Sequence, residues 1–215
     1  MIEQVCRKER QYGMKIREIA ETKRKAKEWF ASYTADYDME DPKIALKAVH
    51  TYHVAELCQT IAESLALNEV ECMAAWLSGL LHDVGRFEQI RRFNTFSDAD
   101  SIDHALLSTE ILFGTKEDAS CGRIRQVILD PSWDIYLYKA IKYHSAYRLP
   151  PDLSEMEKTY CQILRDADKI DIFRVNLETP MEDIYNTTTE TLKQAEVTSE
   201  VLQAFKERHA VLRAL

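Results

Sequence analysis

From residue 42 to residue 66, Leu46, Val54, Leu57, Ile61 and Leu65 recur at three- and four-residue spacing, and His50 stands in the same stripe. That period sets one face of an α-helix against a core. It also drives an imidazole into apolar surroundings, where a polar ring needs a partner. Two further segments repeat the pattern. Met73, Leu77 and Leu81 lead into His82-Asp83, and Tyr160 and Leu164 are in line with Asp168, with Asp171 close by. A buried aspartate is costly unless it meets a cation.

Only 5 Gly and 5 Pro occur in 215 residues, too few for a turn-rich β-sandwich, so an all-α fold is expected. No repeat or linker is visible, which makes 1–215 a single domain in the form of a helical bundle. Residues 2–32 read as a long charged helix, followed by an acidic connector, Thr34 to Glu40. Asp41-Pro42 opens a helix to about Ala66, and Asn68 caps the next, which ends at His82-Asp83 with Gly85 as its stop. Residues 86–100 lack a clear period and read mostly as loop. Ser101 can cap a helix through Phe113, closed by Gly114. Further helices are expected at 117–129, 132–144, 154–174 and 188–213, with Pro131, Pro150-Pro151 and Pro180 between them.

The net charge of -8 argues against general nucleic-acid binding, although a local basic pocket for a small phosphorylated molecule is compatible with it. The run Lys23 to Lys27 alternates with Glu18, Glu21 and Glu28 and reads as a solvated helix face. Cys6, Cys58, Cys72, Cys121 and Cys161 are scattered without a CxxC pair, as expected for reduced thiols in a cytoplasmic protein. No secretory signal and no membrane span is visible.

One divalent ion meeting imidazoles and carboxylates would satisfy the buried polar groups together, and mixed N/O ligation suits Mn, Fe, Co, Ni, Zn or Mg. His50 is more central to its stripe than His53, and by spacing alone Asp166, Asp168 and Asp171 compete for the last position. The strings HTYHV (His50 to Val54), GLLHDVGR (Gly79 to Arg86) and RDADKID (Arg165 to Asp171) resemble the signature of the HD-domain superfamily of metal-dependent phosphohydrolases. That resemblance covers about residues 42–175, with flanking helices at 1–40 and 180–215. It implies an HD-type bundle in which His50, His82, Asp83 and Asp168 hold a metal and His53 takes the place of a basic residue.

His104, in SIDHALLSTEIL, and His144, in AIKYHSAYRLP, are similar to the two extra histidines of the HD subgroups that hold two metals. In those subgroups Asp83 would bridge to a second ion held by His104 and His144, although Ser145 stands where some members carry a second histidine. The implied reaction is attack of metal-activated water on phosphorus, with Arg86 and Lys169 as candidate phosphate contacts. Arg91 to Asp98 is expected to form a substrate-recognition loop, and Asp103 either to orient a ligand or to favour a helix start. The expected partner is a small, nucleotide-like phosphorylated substrate, with a homodimer through the N-terminal helix as one option. The GYP string of the cyclic-dinucleotide branch is absent. Two alternatives share the motif order: an HD-fold di-iron oxygenase, and a metal-binding regulatory module with little turnover.

Overall fold

The computed structural model describes residues 2–115, 118–185 and 187–211, with side chains described from residue 16 onward. Helices dominate, and no strand occurs among the described residues. In chain order they are α1 (Ile2–Thr34), α2 (Pro42–Ser64), α3 (Glu69–Leu81), α4 (Val84–Phe93), α5 (His104–Phe113) and α6 (Ile124–Val127). They continue as α7 (Asp134–Tyr143), α8 (Glu155–Glu178), α9 (Met181–Tyr185), α10 (Thr189–Lys193) and α11 (Ser199–Lys206). None is long and apolar enough among the described residues to cross a membrane.

The organising element is α3. Every residue from Cys72 to Leu81 is buried, because this helix is apolar on all sides and so must be covered on all sides. Helices α1, α2, α7 and α8 all pack against it. It starts with a capping box, in which the Asn68 side chain accepts from Glu71 N and the Glu71 carboxylate accepts from Asn68 N. Its far end therefore delivers His82 and Asp83 into the interior, at 0% and 2% exposure.

Helix α2 buries Thr51, Val54, Ala55, Cys58 and Ala62, whereas Leu46, Leu57 and Ile61 are only half-buried and Leu65 is exposed. The buried face is thus turned toward small residues relative to the leucine stripe. The reason is close approach: a Cβ on Gly79 would lie 2.6 Å from Ala55 Cα. His50 is buried in either register. On α1, Ala26, Phe30 and Tyr33 face the core, and the Tyr33 hydroxyl donates to Val84 O at 2.8 Å, tying α1 to the start of α4. Within the basic run, Arg24 pairs with Glu21 and Glu28, while Lys23 and Lys27 lie over the Trp76 ring.

Several expected boundaries are corrected. Residues 84–93 are helix, not loop, and Gly85 lies inside that helix and is not a stop. Its period is hidden because Glu88 and Gln89 are buried: Glu88 pairs with Arg91 and Arg92, and Gln89 donates to Asp98, Ser101 and Ile102. The cap of α5 is Asp103, not Ser101. The segment 117–129 is a 3-10 turn at Ala119–Cys121 followed by the short α6, and the start at 117 falls outside the described residues. In place of one C-terminal helix there are two, each capped by a threonine, Thr188 and Thr198; the expected end at 213 lies outside the described residues. Cys58, Cys72, Cys121 and Cys161 are free thiols, and the Cys6 side chain lies outside the described residues.

Gly79→Ala should lower stability by about 1–3 kcal/mol, because the new methyl meets backbone atoms that cannot step aside. The urea midpoint should fall with an unchanged slope. An unaltered midpoint would contradict the close α2–α3 crossing.

Candidate metal centre

Five segments converge on one buried point. His50 comes from α2, His82 and Asp83 from the turn between α3 and α4, His104 from the first position of α5, His144 from the end of α7 and Asp168 from α8. All six side chains are buried. Gly85 brings α4 against α5: its N–H donates to Ser108 Oγ at 2.9 Å, and a Cβ there would meet His104 O at 2.5 Å.

Each of the four imidazoles is held from behind through Nδ1. His50 Nδ1 is 2.6 Å from Asp171 Oδ2, and His82 Nδ1 is 2.7 Å from Gly79 O. His104 Nδ1 is 2.7 Å from Asp98 Oδ2, and His144 Nδ1 is 2.7 Å from Ile141 O. All four outer partners are acceptors, so Nδ1 carries a proton in each ring and Nε2 faces inward, where its lone pair can bind a cation. Asp171 is itself fixed by Arg174, at 2.7 and 2.8 Å.

The inward atoms fall into two groups that share one carboxylate. Asp83 Oδ2 lies 3.2 Å from His82 Nε2 and 3.9 Å from His50 Nε2, and Asp168 Oδ1 lies 3.2 Å from His50 Nε2. Asp83 Oδ1 lies 3.5 Å from both His104 Nε2 and His144 Nε2, which are 3.0 Å apart. Two lone pairs at that separation repel unless a cation or a proton lies between them. His50 Nε2, His82 Nε2 and Asp83 Oδ1 are buried with no hydrogen-bond partner among the described residues. Orphaned buried donors of this kind fit a divalent ion, and both sets, His50-His82-Asp83 and Asp83-His104-His144, are close enough to hold one.

Electrostatics agree with the geometry. Burial works against ionisation of Asp83, yet the His82 ring and the Lys47 ammonium beside it hold its carboxyl well below the usual carboxylate range. Asp168 and Asp171 are depressed against the same penalty, with the His50 ring beside both as the largest cause. Burial pushes His104 down from 6.5 to about 4, against the opposing pull of Asp98.

Other candidate residues are distributed more widely. Lys169 is exposed and pairs with Asp168 on the outside. His53 is exposed on α2, away from the donor groups, and the last-position candidates separate as well: Asp168 faces the centre, Asp171 supports His50 and Asp166 is exposed. Arg86 lies beside the centre, with Nε 3.8 Å from Asp83 Oδ1, but its NH1 is occupied by Gln89, Phe96 O and Asp98. Asp103 accepts from Ala105 N and Leu106 N as a helix cap, so Asp98, within the expected recognition loop, is the group that orients His104. Lys47 escaped sequence reasoning; it sits three residues before His50 on the same helical face, with Nζ 2.7 Å from Asp83 Oδ2. Lys47, Arg86 and Phe96 line a cavity of about 350 Å³ that reaches His50.

A family model for the HD domain matches residues 48–172, more than half of the chain and a span containing all six converging side chains. The chain belongs to the HD domain family, whose members are typically metal-dependent phosphohydrolases. Comparison with curated proteins and with solved structures gives no significant match.

In the metal-free protein, His104 should remain neutral with its proton on Nδ1 from pH 8 to pH 5, readable from long-range ¹⁵N–¹H NMR correlations. Because its folded value lies below the ordinary 6.5, its contribution to stability is complete above pH 6.5 and is lost as pH falls toward about 4. A charged ring at pH 6, or a proton on Nε2, would contradict the orientation described.

Proposed function

We propose that this protein is a metal-dependent phosphohydrolase that holds two divalent ions on Asp83 and acts on a small phosphate ester. The observation that carries this reading is the division of labour within one carboxylate: Oδ2 faces His82 and His50, while Oδ1 faces His104 and His144. His50, His82, Asp83 and Asp168 would hold one ion, and Asp83, His104 and His144 the other. Bound divalent ions supply Lewis acidity, neutralising phosphoryl oxygens and acidifying water toward neutral pH.

The chain's own residues do the rest. Asp171, Gly79 O, Asp98 and Ile141 O fix the four ring orientations, so the donors are set before any ligand arrives. Lys47 is a cation beside Asp83, positioned to meet a phosphoryl oxygen once Asp83 Oδ2 is engaged by metal. Arg86 keeps a buried Nε without a hydrogen-bond partner among the described residues and anchors the 96–98 segment through NH1. The lining cations of the adjoining cavity, Lys47 and Arg86, favour an anionic substrate although the chain as a whole is acidic.

The same donor set, rich in imidazole and free of thiolate, also suits iron, which keeps the di-iron oxygenase as a second reading. Protein loaded separately with Mn, Co, Ni, Mg, Zn and Fe should release inorganic phosphate from a panel of phosphate esters without consuming oxygen. Asp83→Ala should reduce that release to background, and Lys47→Met should lower kcat/KM roughly ten- to a hundredfold, the worth of one charge-assisted contact. Oxygen uptake with oxidation of an organic substrate would favour the oxygenase. Neither phosphate release nor oxygen uptake under any loading would overturn both.

Asp98→Asn should weaken the ion beside His104 by roughly ten- to a hundredfold while leaving the other in place, measurable as a split in calorimetric Mn²⁺ titration. Equal weakening of both ions would contradict the assignment of Asp98 to the His104 side.

A further inference from the structure

The cavity beside the metal centre has two chemically different walls. The wall built from α2, α4 and the 95–97 segment carries Lys47 and Arg86, which lie 5.4 and 5.9 Å from the centroid of the Phe96 ring. The wall built from α8 and α9 carries Ile172, Val175, Ile184 and Tyr185. Most of this second wall lies outside the family match, which ends at residue 172.

Its two polar side chains each make a bond within the wall. Asn176 Nδ2 donates to Ile172 O at 2.8 Å, and Asn176 Oδ1 accepts from the Tyr185 hydroxyl at 2.8 Å. That pair ties α9 to α8, and the wall meets a ligand mainly through the carbon of Ile172, Val175, Ile184 and the Tyr185 ring. A charged or strongly hydrated group placed there would lose water without replacing its hydrogen bonds. At about 350 Å³ the cavity is at the small end of ligand sites.

Resting on the phosphohydrolase reading, we propose that Val175, Ile184 and Tyr185 form the seat of the substrate's leaving group, and that this group is uncharged, apolar and of single-ring size. The phosphoryl group lies at the Lys47–Arg86 wall next to the metals, and the organic group extends along α8 onto α9. Specificity is therefore set largely by residues outside the family match, while the chemistry stays within it. The expected sharpening of the substrate is from nucleotide-like to an ester whose non-phosphate part buries carbon.

Binding tests this without requiring turnover. Mn²⁺-loaded protein is titrated calorimetrically with phenylphosphonate and with methylphosphonate, which share the anionic head and differ in the group the seat would take. Phenylphosphonate should bind roughly tenfold or more tightly, as expected for burying a ring in place of a methyl. Ile184→Glu and Tyr185→Ala, both on a short helix at the edge of the bundle, should bring the ratio toward unity, with circular dichroism confirming an unchanged helix content. Equal affinities in the wild type, or a ratio that survives both substitutions, would overturn the seat. Failure of the hydrolase reading would register separately, as a phosphonate preference in a protein that releases phosphate from no ester.

Discussion

Burying the Asp83 carboxylate at the end of a helix with no exposed side costs several kcal/mol before any partner is counted, and the surrounding structure is arranged around that cost. Lys47 approaches one of its oxygens, His82 flanks it within the same turn, and His50, His104 and His144 approach from three other segments. The helices that bring those side chains in pack on α3 directly or, for α5, through α7. An apolar helix ending in His-Asp thus sets both the core and the site: covering α3 on every side is the same act as assembling the donors around its end.

Rigidity comes from one step further out. Each imidazole is aimed by an acceptor behind it, two of them backbone carbonyls within a turn of the same chain segment and two of them carboxylates, Asp171 from the distant α8 and Asp98 from the loop just before α5. The carboxylates are themselves tethered, Asp171 by Arg174 and Asp98 by Arg86 and Gln89. Since Arg86 also holds Phe96 O, the orientation of His104 and the shape of the cavity wall depend on the same side chain. A residue that reads from the motif as a phosphate contact is therefore also part of the scaffold.

The helical class, the order of the long helices and His50, His82 and Asp83 were legible in apolar stripes, whereas Asp168 was separated from Asp166 and Asp171, and His104 and His144 were found, only through the resemblance to the HD superfamily. His50 rather than His53 follows from that stripe alone. Helix α4 was not legible, since Glu88 and Gln89 occupy buried positions that only become acceptable once Arg91, Arg92, Asp98 and Ser101 surround them. Asp98 was hidden for a related reason: it reaches His104 through a non-periodic segment, where spacing carries no directional information. Lys47 was within reach, as its three-residue offset from His50 puts both on one face. The apolar wall of α8 and α9 depends on how a five-residue helix folds back, which no local pattern specifies.

The central claim is that Asp83 stands between two ions, one on each oxygen. Anomalous-difference maps from crystals of the Mn²⁺-loaded protein test it most directly. Two peaks are expected, one bounded by His50, His82, Asp83 and Asp168 and the other by Asp83, His104 and His144. A single peak, or two peaks that do not share Asp83, would contradict it.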